Sequence, residues 1–486
     1  MVISRRSFLR TTGLGATAAA LAACSTHGTT TPTPPTTLPA TTATSPVPMN
    51  YPSLASKLAG HLVTPADAGY EEARRSYNPL FDGRRPAVVA QCVRTSDVQA
   101  CVELAAATRT PIAARAGGHS YAGFSTPDNA LVVDLAGMSG VQVDGDTAVI
   151  GAGARLIDVY TALAAAGRCL PAGSCPSVGI AGLTLGGGIG VLARKYGLTC
   201  DSLTGATVVT ADGTARAVSA SDDADLFWAL RGGGGGNFGI VTSFTFHTVP
   251  APPQFTVFLL GYHAVADAFA AWQPWIAAAP DELWANFNVT GGSPPTCTVA
   301  GCYVGTSAAL NPLLDKLTSS VTPTYRNVQT LGYLDAMRHW AGPPKPRESF
   351  VASSRMLAAP LGDPATIADA ATGHPNLHLI IDGLGGAVGR IGAADTAFAH
   401  RTAVASVQIY LKTTPAAQAD AARQVYSVRD RLTPAVGDGA YVNYLDQTMP
   451  NWAQAYYGAN LPRLRTVART YDPNQVFTFA QAVDRA

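Results

Sequence analysis

Charge is scarce in this 486-residue chain: only 13% of residues are Asp, Glu, Lys or Arg, and the formal net charge is +1. So balanced a chain carries no electrostatic footprint for a polyanion, which argues against nucleic-acid binding. Its eight cysteines show no spacing that resembles a zinc site, and no metal site is expected. No internal repeat is visible, which leaves out solenoids and propellers. The apolar stretch near the start, Gly13 to Ala23, is too short to span a bilayer permanently. What the chain does have is hydrophobicity, 47% of residues, enough for a large core divided into more than one lobe. It also has 48 glycines, concentrated in particular runs.

The first segment reads as an address. Ser4-Arg5-Arg6-Ser7-Phe8-Leu9-Arg10 before the apolar stretch looks like a twin-arginine export signal. That route carries folded proteins, so a cofactor would be inserted in the cytoplasm. Leu21-Ala22-Ala23-Cys24 resembles a lipobox, and cleavage before Cys24 would leave its thiol to carry lipid. Residues 1–24 are thus expected to be a signal peptide with lipobox, of an exported envelope lipoprotein or secreted protein. Residues 25–50, rich in Thr and Pro, read as an extended tether.

The folded part begins near Tyr51. Ala87 to Val89, Pro111 to Arg115, Ala130 to Leu135 and Ala148 to Gly151 read as strands. Ser96 to Thr108, with Ser96 or Asp97 as N-cap, and Arg155 to Ala166 read as helices. The proline cluster Val249 to Pro253 suits a lobe boundary. Beyond it, Leu377 to Leu384 and Ala405 to Lys412 are strand-like, and Ala416 to Leu432 is a helix. The tail from Tyr441 carries polar aromatics that suit a return to the first lobe. Setting aside Cys24 and Cys175, six cysteines remain, permitting up to three disulfides or buried free thiols; Cys297 and Cys302 could close a small loop.

Three glycine loops carry the chemistry. In Arg115-Ala116-Gly117-Gly118-His119-Ser120-Tyr121, consecutive glycines let backbone N–H groups converge on an anion, with a histidine beside them. The second runs from Pro171-Ala172-Gly173-Ser174-Cys175-Pro176-Ser177-Val178-Gly179 into Gly182 to Gly190. Packing does not justify so dense a run, since glycine weakens helices and strands; close approach to phosphate and a flat ring does. It is not a Walker loop, lacking Gly-Lys-Ser/Thr, nor a good Rossmann fingerprint. Arg231 to Val241 supplies the third.

Together these loops resemble the berberine bridge enzyme-like family of FAD-linked oxidases, within the PCMH-type flavoprotein fold, over about Asn78 to Phe479. The resemblance implies an α+β chain: a two-lobed FAD-binding domain at 51–250 and a substrate domain at 251–430, its antiparallel sheet covered by helices. Residues 431–486 would return to the first domain. It also implies FAD held doubly, His119 bonding the 8α-methyl group and Cys175 bonding C6. Noncovalent FAD, or Cys175 in a disulfide, are the alternatives. Arg115, Gly117, Gly118, Ser120, Val178, Gly179, Gly182, Gly187, Gly188, Gly190, Asn237, Gly239, Val241 and Asn443 are the other expected cofactor contacts.

Tyr441-Val442-Asn443-Tyr444 matches the family's Tyr-x-Asn-Tyr segment, which implies Tyr444 as catalytic base and Asn443 beside flavin or base. A phenol titrates at about 10, so Tyr444 needs a lowered value or a partner, for which Asp382 and Gln408 are candidates. Ile189 replaces an aromatic common in the family, and Thr184 falls near a histidine position. Val178 stands where oxygen-reactive members carry a small aliphatic residue, implying O2 as acceptor. His400 and Arg401 resemble a structural segment. The expected reaction passes hydride from a sugar or other alcohol carbon to FAD; ring closure or non-catalytic ligand binding are the alternatives.

Overall fold

The computed structural model describes residues 51–343 and 346–485, which belong to one compact unit. The expected export signal, Cys24 and the expected tether lie outside the described residues. No helix among the described residues is long and apolar enough to cross a membrane.

The first lobe holds two larger sheets, besides a two-stranded pairing of Arg168–Cys169 with Val249–Pro250. In one, the parallel strands Val88–Gln91, Leu131–Asp134 and Ile112–Arg115 lie side by side, with His61–Val63 antiparallel at the edge. All four residues of Leu131–Asp134 are buried, as a strand covered on both faces requires. Helix Thr95–Thr108 packs into the core beside this sheet, and its start corrects the expected cap. Arg94 is the N-cap, and Asp97 turns inward to accept the backbone N–H groups of Ala59, Gly60 and Val93. Burial disfavours that carboxylate, but these bonds and Arg94 outweigh burial and lower its pKa. The other sheet is antiparallel, in the order Val141–Asp144, Thr147–Gly151, Ile240–His247, Leu203–Val209, Ala215–Ser219.

Residues 255–412 supply every strand of a seven-stranded antiparallel sheet. Its order is Tyr325–Leu331, Phe255–Tyr262, Thr296–Tyr303, Leu283–Thr290, Leu377–Gly383, Ala405–Lys412, Phe350–Leu357. Alternation divides its two faces. Phe287, Val289, Leu379, Ile381, Val407 and Ile409 point to a core filled by Phe269, Trp272, Leu310, Leu314, Val425 and Val428 of the covering helices. The alternate positions, including Asn286, Asn288, His378, Asp382, Gln408 and Tyr410, face the cavity described below. One such helix, Gln418–Val436, starts two residues later and ends four later than its pattern suggested.

The tail packs into the first core through Val442, Tyr456, Tyr457, Leu464, Val467, Phe477 and Val483. Cys92, Cys101, Cys169, Cys175, Cys200, Cys297 and Cys302 are all free thiols. The proposed Cys297–Cys302 loop does not form, because both stand on strand Thr296–Tyr303. Five residues apart, they face opposite sides of the sheet. Cys297 enters the helix-covered core, and Cys302 Sγ lies 3.2 Å from the Val191 carbonyl oxygen.

Candidate active site

All three glycine loops and the polar face of the seven-stranded sheet line a single cavity of about 1490 Å³. Pockets for drug-sized ligands run to about 1,000 Å³, so this one has room for a larger molecule or for two reactants. The first two loops cross backbone to backbone: a Cβ on Gly117 would lie 2.3 Å from the Gly179 nitrogen. That crossing places His119 and Cys175 on one wall. His119 stacks on Tyr77 with ring centroids 3.9 Å apart, and its Nε2 lies 3.0 Å from Ser177 Oγ. Cys175 Sγ lies 3.8 Å from the same hydroxyl. Burial first, and Arg155 second, lower the His119 pKa to about 4, so its imidazole is neutral near pH 7 with a lone pair available.

Glycine density has a different cause from the one expected. Gly187 and Gly188 do not line the cavity. They have φ of +118° and +89°, and a Cβ on them would strike Phe398 and Thr199 respectively. Gly232, in the third loop, is likewise pressed against the Phe398 backbone. Packing therefore does account for much of the run, because loops that lie against other backbone leave no room for side chains. Gly190 lines the cavity but sits against the Ala172 carbonyl, whereas Gly182 meets nothing within 4 Å. Arg115 also differs from expectation. Its guanidinium turns from the cavity to pair with Asp134 at 2.7 Å and to bond the Ala73 and Arg75 carbonyls, so it anchors the loop.

Gly118, Ser120, Val178, Gly179, Asn237, Gly239 and Val241 line the cavity. Ser120 Oγ accepts the Phe124 N–H at 3.0 Å. Asn237 joins the third loop to the tail, donating to the Gly233 carbonyl and accepting the Val483 N–H. Asn443 Nδ2 donates to the Leu183 carbonyl at 3.0 Å and to the Tyr441 hydroxyl at 2.9 Å. Tyr441 in turn accepts the Gly188 and Ile189 N–H groups. Together they pin the second loop to the tail.

Tyr444 stacks on Tyr121 with centroids 5.2 Å apart and meets Tyr441 edge-on at 4.9 Å. Of the two routes open to it, a lowered pKa or a partner, the structure does not supply the first. Burial first, then the Asp382 charge and the neighbouring tyrosines, hold the phenol well above its ordinary range. Asp382 is its partner by charge, and burial raises the carboxyl to about 6 against a bond from Asn286. Gln408 acts one ring away, donating to the Tyr121 hydroxyl at 2.6 Å.

Asn286 stands directly across from Asp382 in the sheet, and Asn288 Nδ2 donates to Asn286 Oδ1 at 2.9 Å. Neither asparagine was singled out from sequence, although Trp284-Ala285-Asn286-Phe287-Asn288-Val289 alternates as a half-buried strand should. Thr184 is fully buried, donating to the Ile180 carbonyl, whereas Ile189 lines the cavity. His400 meets the Tyr456 carbonyl, and Arg401 grips Asp201 through two bonds of 2.7 and 2.8 Å; both are structural. The residues fit FAD: the cavity is large, Gly182 opens onto it, and a neutral imidazole and a thiol meet at one hydroxyl.

Residues 86–219 match the FAD binding domain model, and residues 440–484 match the model for berberine and berberine-like proteins. An uncharacterised FAD-linked oxidoreductase of Bacillus subtilis (strain 168) is 37% identical, over 88% of this chain and 97% of the relative. The chitooligosaccharide oxidase of Gibberella zeae is 31% identical, over 86% of this chain and 92% of its own. Among solved structures, wild-type BBE-like 1 of Physcomitrella patens superposes with a TM-score of 0.83 at 30% identity, covering 89% of this chain and 98% of its own. Fold and site define an FAD-linked oxidoreductase. The chain belongs to the berberine bridge enzyme-like family of FAD-linked oxidases, with its PCMH-type α+β fold.

Proposed function

We propose that this enzyme oxidises a sugar, oligosaccharide or other alcohol at a hydroxyl-bearing carbon, with FAD bonded through both His119 and Cys175. Bound FAD supplies the hydride acceptor, and O2 takes the electrons onward to give hydrogen peroxide. The observation that carries this reading is that Tyr444 and Asp382, whose charge acts on the phenol, line the same cavity as His119 and Cys175. The chitooligosaccharide oxidase among the relatives supports a carbohydrate substrate.

Tyr444 accepts the substrate hydroxyl proton while passing its own toward Asp382. A phenol held protonated by burial cannot act as a base alone; the raised Asp382 carboxyl gives it a proton acceptor matched to near-neutral pH. Asn443 and Tyr441 keep the second loop, and with it Cys175, in register with the base. His119 and Cys175 hold the ring, whose 8α-methyl and C6 belong to one benzenoid ring, and so fix one reactant permanently. Val178 leaves an aliphatic surface for O2 to approach. Export by the twin-arginine route, with a lipid on Cys24 as the sole membrane attachment, completes the reading.

The test is acid precipitation of the purified protein. Flavin should remain in the pellet of the wild-type, His119→Ala and Cys175→Ala proteins and leave it in the double variant. A sugar and alcohol screen of the wild type should then yield peroxide. Release of FAD from the wild type would remove the covalent part. Failure of every substrate to bleach the flavin would favour a ligand-binding role.

A further inference from the structure

One hydroxyl stands between the two side chains on which the attachment rests. Ser177 Oγ is 3.0 Å from His119 Nε2 and 3.8 Å from Cys175 Sγ, and Ser177 is half-buried on the cavity wall. We propose that Ser177 is the positioning and proton-relay residue for covalent flavin attachment, orienting His119 and carrying the protons that leave His119 and Cys175. The inference rests on the reading that both residues bond FAD.

Each attachment exchanges hydrogen for a bond. At Cys175, the S–H and flavin C6–H bonds are lost and an S–C6 bond forms. At His119, an imidazole N–H and one 8α C–H are lost and an N–C bond forms. In each case O2 takes the two electrons and two protons, leaving one hydrogen peroxide. The flavin therefore ends oxidised, and no other co-reactant is needed.

Both side chains must release a proton in a confined place. A thiol bonds carbon only as its thiolate. An imidazole that attacks through one nitrogen becomes a cation until its other nitrogen loses its proton. Burial and the nearby Arg155 charge make that cation costly at His119. With Nε2 turned toward Ser177, Nδ1 is the nitrogen left to bond. Tyr77 stacks on the His119 ring, Arg155 places a positive charge near it, and the Ser177 backbone also bonds it, which leaves the Ser177 hydroxyl as the side-chain oxygen at Nε2. The Ser177 hydroxyl lies 3.0 Å from His119 Nε2 and 3.8 Å from Cys175 Sγ and borders the cavity, through which water can take the protons.

Full-length protein from riboflavin-starved cells would be mixed with FAD, sampled over time, digested, and weighed for flavin-linked peptides. Ser177→Val should attach flavin at least about tenfold more slowly at both residues than Ser177→Thr, which keeps the hydroxyl at similar bulk. Flavin bound before attachment should be equal in the two. Equal attachment rates would overturn the proposal, as would a slow rate explained wholly by weaker FAD binding. Should Ser177→Val not fold, Ser177→Ala against Ser177→Thr makes the same comparison. Absence of linked peptides from the wild type would instead overturn the attachment reading itself, and the relay with it.

Discussion

Gly117 and Gly179 pass so closely that a Cβ on either would fall 2.3 or 2.5 Å from the other's nitrogen. This contact sets the spacing of His119 and Cys175, each a few residues from it along the chain. Gly117→Ala should therefore part the loops. Flavin retained after acid precipitation should fall more than fivefold, with a lowered melting temperature. Wild-type retention would show that the crossing is not what aligns the two residues.

Asp382→Asn should abolish turnover while making the protein more stable near pH 7.5. The folded state raises this carboxyl to about 6, above its unfolded value, so the folded state favours the protonated form. Its ionisation weakens folding progressively as pH rises through that interval, and the penalty is complete above it. The neutral amide avoids a penalty on the order of 3 kcal/mol. A thermal melt should show the variant gaining over wild type at pH 7.5 and little or nothing at pH 4. No gain at the higher pH would mean that Asp382 is not strained by burial.

The same group should govern the acid limb of kcat/KM. Activity is expected to rise with pH through about 6, as Asp382 ionises and can take the proton from Tyr444. Asn286→Leu removes a bond that favours the carboxylate, so the limb should move to higher pH. Tyr444→Phe should cost about 10²- to 10⁴-fold in kcat with flavin content unchanged. A limb unmoved by Asn286→Leu would place its origin elsewhere.

Arg401 and Asp201 form a buried two-bond pair beneath the second and third loops, exposed by only 1% and 4% at their side chains. Arg401→Met leaves a carboxylate without its charge partner and should cost about 3–5 kcal/mol of stability by denaturant unfolding. Adding Asp201→Asn should recover part of that loss. A double variant as unstable as the sum of the single ones would mean that the two charges are not coupled.

The chain's own order of residues determined much of this protein. Strand Ala405–Lys412 was legible to the residue because its apolar positions recur every second place. The three glycine loops, His119, Cys175 and the Tyr441 to Tyr444 segment were legible because short local motifs carry them. Tertiary structure decided what those residues do. Gly187, Gly188 and Arg115 looked like ligand contacts, yet Phe398, Thr199 and Asp134, all distant or separate in sequence, occupy the space beside them. Asp382 acquired Asn286 only by strand register, and burial raised the Tyr444 phenol, leaving a partner as its only route of the two the sequence left open. Periodicity and local motifs act within a few residues, so they are written along the chain. Desolvation, charge pairing and backbone contact depend on which distant residues folding brings together, and only the folded chain sets them.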